Sequence, residues 1–243
     1  MRNREDFKVF KDVFDRPTHF ALNKLMNRHV FECLGGEISI GKEANVFFAE
    51  DENEEPMVVK IYRISAADFK NMKKYALGDP RFQDTRSKRK FIYNWATKEF
   101  RNLLRLQKAG IPAPSPIDYF YNVIVMEFIG ENWIPSPQLR FIEKIAPDPE
   151  FIEKIYKRII EYIIIMYREA ELVHGDLSEY NILLHKENPV IIDCAQGVSI
   201  DHPMAREFLE KDVRNIQRFF HCCGIDIIED SDIFNKIYGD KNV

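Results

Sequence analysis

Asp176, Asn181 and Asp193 are the residues whose types and spacing point most directly to chemistry, and they share one stretch, LVHGDLSEYNILLHKENPVIIDC, from Leu172 to Cys194. Two carboxylates and a carboxamide supply oxygen ligands of the kind hard divalent cations take, and Mg2+ in phosphoryl-transfer sites draws only one or two carboxylates from the protein. Asn181-Ile182-Leu183-Leu184 and Val190-Ile191-Ile192 are apolar runs of strand length divided by the polar HKENP, a pattern that predicts a hairpin. Asn181 then opens one strand and Asp193 closes its neighbour. An amide oxygen and a carboxylate meet at one end of a small sheet, facing the loop that carries Asp176. This arrangement suits a metal-bound phosphate. Asp and Asn also cap ordinary turns, and the loop by itself fits that use.

The D-x-x-x-x-N spacing, preceded by His and Gly, resembles the catalytic loop of the protein-kinase-like fold. Other elements must then hold a nucleotide. GGEISIGKEANVF lies between two strand-like runs, Phe31 to Ile40 and Asn45 to Ala49. Gly36-x-x-x-x-Gly41-Lys42 follows a Walker A loop as far as Glu43, which stands where Ser or Thr would hold Mg2+, and a strand follows where that loop requires a helix. Against the glycine-rich pattern G-x-G-x-x-G-x-V, the matching positions are Ser39, Gly41, Ala44 and Val46. Small residues there let backbone N–H groups approach phosphate oxygens. An ordinary glycine hairpin fits the same stretch equally.

Val58-Val59-Lys60 resembles the V-A-I-K strand whose lysine meets the nucleotide phosphates. A partner for Lys60 comes from the helix expected over Phe91 to Gln107. Ile92, Trp95, Ala96, Leu103 and Leu106 form its apolar face, with Lys98, Arg101 and Arg105 opposite, and Glu99 falls inside the apolar stripe. A carboxylate there costs several kcal/mol unless paired. After the proline-rich GIPAPSP, Tyr119 to Met126 predicts two short strands around Asn122. Glu127 to Gly130 then reads as a hinge, with Met126 and the backbone of Glu127 and Ile129 lining an adenine pocket.

Length and composition set bounds on this reading. At 243 residues and 45% hydrophobic content the chain can bury a substantial core, and a net charge of −4 gives no global basic field for nucleic acid, so no specific DNA partner is expected. Four cysteines without a C-x-x-C pair make neither a disulfide framework nor a zinc signature. The charged N-terminus and the lack of a long apolar run predict a cytoplasmic protein without membrane attachment. Asp15-Arg16-Pro17 predicts the start of an appended N-terminal helix, residues 1–29. Residues 30–130 then form an N-lobe and 131–243 a C-lobe whose long helix runs from Phe151 to Glu169. Ser65 to Lys90, with its RSKRK cluster, reads as a mobile basic insert in which Ser87, beside Thr85 and Arg86, is a candidate phosphorylation site. Asp212, in D-V-x-x-I, is placed either to brace the catalytic loop or to sit solvated on its helix.

Taken together, ISIGKEANVFFA, VVKIYR, WATKEFRNL, LVHGDLSEYNILL and VIIDCAQGV resemble the RIO family of atypical serine kinases, on its Rio1-like branch. The short segment before Gly41 leaves no room for the winged helix of the Rio2-like branch. Dense charge suits an archaeal version. The resemblance implies an α+β, two-lobed protein-kinase-like fold with a trimmed C-lobe and no activation segment. It implies ATP with Mg2+ or Mn2+ as cofactors, a protein substrate accepting phosphate on Ser or Thr, and a pre-small-ribosomal-subunit particle as partner. Residue by residue it implies Asp176 as the catalytic aspartate and Lys60, paired with Glu99, on the phosphates. Asn181 and Asp193 would hold the metal, and Ser39, Lys42, Glu43 and their backbone would form the phosphate loop. Ile40 stands where the family usually has Thr. Two rival readings share these motifs. One is an ATPase-driven assembly switch; the other is a small-molecule kinase of the aminoglycoside or choline type, for which too little chain follows Asp193.

Overall fold

The computed structural model describes residues 14–64, 69–79, 82 and 87–239. The chain divides into two compact units, one comprising residues 1–74, 79–101 and 115–128, the other 75–78, 102–114 and 129–243.

The first unit begins with α1 (Arg16–Met26), whose N-cap Asp15 accepts the Thr18 N–H at 3.0 Å and whose first turn contains Pro17. It is followed by β1 (Cys33–Ile40), β2 (Ala44–Glu50) and β3 (Pro56–Tyr62), then by α2 (Phe69–Ala76), α3 (Lys88–Lys108), β4 (Pro116–Phe120) and β5 (Val123–Glu127). The strands form one antiparallel sheet in the order β1-β2-β3-β5-β4. Strand alternation divides their side chains between two faces. On one face Phe47, Val59, Ile61, Val123 and Val125 are buried in a cluster with Ala21, Leu22 and Leu25 of α1, so the N-terminal helix is part of this unit's core. Buried Asn122 ties them together, its amide donating to Thr18 Oγ1 and to the Tyr62 carbonyl, each at 2.8 Å. The other face carries Val46, Lys60 and Met126. The register pairs Val46 with Lys60 and Val58 with Met126, which sets all of these on the same side.

The insert is more structured than its composition predicts. α2 lies within it and buries Met72, Tyr75 and Ala76, while Phe82 is buried against Phe91 and Trp95, with ring centroids 5.0 and 6.3 Å away. Met72, Tyr75 and Ala76 recur at helical spacing, and the aromatic burial of Phe82 adds to the order they supply. Thr85 and Arg86 lie outside the described residues; Ser87 is exposed at the start of α3. Lys98, expected on the solvent face of α3, is 1% exposed, and its Nζ lies 4.7 Å from the Trp95 ring centroid. Its long stem packs with the apolar residues while the ammonium meets an aromatic face.

The second unit contains β6 (Gly130–Glu131), β7 (Ile134–Pro135), α4 (Ile142–Ile145), α5 (Pro149–Arg168) and β8 (Leu172–Val173). Then come β9 (Ile182–His185), β10 (Asn188–Ile191), β11 (Val198–Ser199), α6 (Ala205–Cys222) and α7 (Asp230–Tyr238). α5 starts at the N-cap Asp148 and buries Ile152, Ile155, Tyr156, Ile159, Ile160, Ile163 and Met166, the stripe of its amphipathic sequence. β9 and β10 form the expected hairpin and β8 pairs with β11, so the stretch from Leu172 to Cys194 is framed by two small ladders. Among the described residues only a short 3-10 turn, Cys194–Gln196, and β11 stand between Asp193 and the region of α6, which leaves no activation segment. Among them, too, no helix is long and apolar enough to cross a membrane.

Candidate active site

In the first unit, β1 and β2 meet at a tight turn. The Gly41 N–H donates to the Ala44 carbonyl at 2.8 Å, and a Cβ on Gly41 would stand 2.9 Å from that oxygen, so this turn closes only around glycine. Gly36 lies inside β1, which excludes the Walker A reading. Ser39, Gly41 and Lys42 are exposed and Glu43 is half-buried, its carbonyl accepting the Arg63 N–H at 2.8 Å; Ile40 projects into solvent at 69% exposure.

Lys60 and Glu99 meet. Lys60 Nζ donates to one Glu99 carboxylate oxygen at 2.7 Å, and the Tyr62 hydroxyl donates to the other. Glu99 is 1% exposed and Lys60 8%. Tyr62 is two residues beyond Lys60 on β3 and therefore on the same face, a partner that strand alternation alone could have suggested. Near the end of β5, an inner strand of the same sheet, Met126 is buried. The Glu127 N–H, expected to line an adenine pocket, is already bonded to the Ser115 carbonyl at 2.9 Å, and the Glu127 carboxylate accepts the Ser115 N–H at 3.0 Å. The chain just before β4 thus consumes this donor. In the second unit the Ile129 carbonyl likewise accepts the Ser136 N–H at 3.0 Å, so of this residue's backbone the N–H is the group left to offer.

The catalytic stretch lies wholly in the second unit. Asn181 precedes β9 and Asp193 follows β10, and the Ile192 N–H donates to the Asn181 carbonyl at 2.9 Å, so the hairpin holds both residues at its open end. The Asn181 amide nitrogen donates to the Asp176 carbonyl at 2.8 Å, which fixes the carboxamide and directs its oxygen away from that bond. Asp193 is exposed and left-handed at φ 59°, and the turn after it is held by Asn102, whose amide donates to the Cys194 and Gly197 carbonyls at 2.8 and 3.0 Å. Among the described residues no three His, Cys, Asp or Glu side chains gather as a cage for a metal. One amide oxygen and one carboxylate nonetheless match the way Mg2+ binds when water and phosphate oxygens complete its shell.

The Asp176 loop is gripped by α6. Buried Asp212 accepts the Gly175 N–H on one oxygen and the Leu177 N–H on the other, both at 2.7 Å, and Asn215 donates to the Leu177 carbonyl at 3.1 Å. Asp212 therefore braces the loop. Burial pushes its carboxyl up to about 7, against the pull of those two N–H bonds and of Lys211. His174 Nε2 lies 3.1 Å from the Ile192 carbonyl, a structural tie between the loop and the strand before Asp193. Gly175 has φ +80°, and a Cβ there would meet the Tyr75 ring at 3.2 Å and the Gln196 carbonyl at 3.3 Å. Sequence reasoning did not assign Tyr75, Asn102, Lys211 or Asn215. Each acts across a long stretch of chain, and none carries a local motif.

The fold and site define a class, the kinases with a protein-kinase-like fold and an H-G-D-x-x-x-x-N loop. Within that class the chain belongs to the RIO family, since the RIO domain model matches residues 45–233. It is 41% identical over 242 residues to the RIO-type serine/threonine-protein kinase Rio1 of Haloferax volcanii, covering 99% of this chain and 81% of that one. It is 43% identical over 218 residues to the Rio1 of Methanocaldococcus jannaschii, covering 89% and 72%. To serine/threonine-protein kinase RIO1 of Homo sapiens it is 40% identical, covering 90% of this chain and 39% of that longer one. Among solved structures it is similar to the Rio2 kinase–ADP/Mg2+–phosphoaspartate complex from Chaetomium thermophilum, with a TM-score of 0.71 and 26% identity over 93% of this chain and 67% of that one.

Proposed function

We propose that this chain is an ATP-dependent serine/threonine protein kinase that uses Mg2+, with Mn2+ as a substitute, and that it acts in the cytoplasm on the maturing small ribosomal subunit. The observation that carries the enzymatic reading is the fixed Asn181 carboxamide, bonded to the Asp176 carbonyl at 2.8 Å at the mouth of the hairpin that Asp193 follows. In this reading Asn181 and Asp193 hold Mg2+. Lys60, kept in place by Glu99, binds the nucleotide phosphates, assisted by backbone N–H groups around Ser39, Gly41, Lys42 and Glu43. Val46 and Met126, the Glu127 carbonyl and the Ile129 N–H take the base. Asp176 accepts the hydrogen bond of a Ser or Thr hydroxyl. As that oxygen bonds to the γ-phosphorus and its proton passes to Asp176, the bond to the β,γ-bridging oxygen breaks and its electrons leave with ADP. The names of the relatives support the Ser/Thr specificity; the ribosomal part rests on the family resemblance, and the cytoplasmic part on the charged N-terminus and the lack of a long apolar run.

A second reading, an ATP-driven switch, is favoured by the phosphoaspartate of the Chaetomium thermophilum Rio2 complex. An aspartate would then accept the phosphoryl group and water would remove it. A single-turnover reaction with γ-labelled ATP separates the two. The kinase reading expects label on Ser or Thr that survives hydroxylamine. Label confined to a hydroxylamine-sensitive species and free phosphate would replace it with the switch, and label on an aminoglycoside or choline would overturn both.

A further inference from the structure

The catalytic aspartate has a side-chain partner that no part of the proposed chemistry uses. Lys211 Nζ donates to Asp176 Oδ1 at 2.7 Å and lies 3.4 Å from the Gly175 carbonyl. Its backbone lies in α6 between buried Leu209 and buried Asp212, and Asp212 and Asn215 grip the same loop from the same helix. The ammonium is thus delivered to Asp176 by a rigid element. The Asn181 amide donates to the Asp176 backbone carbonyl and not to its carboxylate. The loop itself supplies no cation, since Leu177, Ser178, Glu179 and Tyr180 fill the positions between Asp176 and Asn181.

The pair is partly open to solvent, with side-chain exposures of 42% for Lys211 and 40% for Asp176. An ion pair so exposed contributes little to stability. Its geometric effect is larger. A carboxylate on a single Cβ can rotate about two bonds, and occupying Oδ1 with a fixed donor turns Oδ2 toward an incoming hydroxyl. We propose that Lys211 is a positioning residue for phosphoryl transfer, aiming Asp176 through its Oδ1 and leaving Oδ2 for the acceptor. The inference rests on the assignment of Asp176 as the hydroxyl-orienting group.

The test compares wild type with Lys211→Met, Lys211→Arg, Asp176→Asn and the Lys211→Met/Asp176→Asn double variant. Total γ-label transferred from MgATP to protein and to water is followed, and MgADP affinity is measured separately by titration. Misaiming a reacting group can cost roughly 100-fold in rate. Lys211→Met is expected to lower kcat by about that order, with KM for ATP and MgADP affinity unchanged. Lys211→Arg should restore much of the loss, and the double variant should be no slower than Asp176→Asn alone. Full activity in Lys211→Met would overturn the proposal, as would a double variant whose loss is the product of the two single losses. A wild-type chain that transfers label to neither protein nor water would instead sink the assignment of Asp176 itself.

Discussion

Removing the Lys60 side chain tests whether the buried Lys60–Glu99 pair is held by burial as well as used for binding. In Lys60→Met the Glu99 carboxylate, 1% exposed, keeps the Tyr62 hydroxyl and loses the ammonium that donates at 2.7 Å. Breaking a buried pair by deleting one partner costs about 3–5 kcal/mol, chiefly the desolvation of the charge left behind. Because Tyr62 still serves one carboxylate oxygen, the lower end applies, about 3 kcal/mol. For a chain of this size that is a drop in Tm of roughly 6–12 °C. Glu99→Gln alone removes the carboxylate to which Lys60, itself 8% exposed, donates and costs a similar amount, whereas Lys60→Met/Glu99→Gln removes both charges together and should recover most of the loss. The cycle should therefore show an interaction energy of about 2–3 kcal/mol. Urea unfolding in a Trp133→Phe background reports on this region, because the remaining tryptophan, Trp95, is buried one turn from Glu99 on α3. Single variants as stable as wild type, or losses that simply add, would show that the pair is not energetically coupled and that Glu99 is held by something else.

Asp193→Asn should weaken MgATP binding more than Asp176→Asn, because in the proposed assignment Asp193 would neutralise the cation while Asp176 would act on the acceptor; equal losses in calorimetric titrations would mean the two roles are misassigned. Asp212 makes stability depend on pH in a definite direction. Its carboxyl is raised from 3.8 to about 7 in the folded chain, so between these values the folded state binds the extra proton. Relative to Asp212→Asn, wild type should therefore lose stability as pH rises from 4 to 7, by up to about 4 kcal/mol, with no further change above that range. A difference between the two chains that is flat over pH 4–7 in parallel urea titrations would refute the shift.

Much of the site was legible in the sequence wherever local patterning carries a physical constraint. Glu99 inside the apolar stripe of α3 could be stable only if paired, and alternation on β3 set Lys60 on one face. Two apolar runs split by HKENP had to pair, which brought Asn181 and Asp193 to one end of a hairpin. Periodicity also placed Asp15 as a helix cap and α5 as an amphipathic helix. Tertiary structure decided what no local pattern encodes. Lys98 and Arg101 look alike in the sequence, and only the packing around Trp95 buries the first. In the insert the charged composition masked a short helical stripe, Met72, Tyr75 and Ala76, while Tyr75 stacks on distant Phe208 and Phe82 packs on Phe91 and Trp95. Asp212 was ambiguous between brace and solvated helix residue, because a carboxylate's value depends on which N–H groups the fold brings to it. Lys211 carried no signal at all. Its proximity to Asp176 arises from the way α6 crosses the loop, and such long-range geometry is set by the whole unit's packing and by no stretch of residues alone.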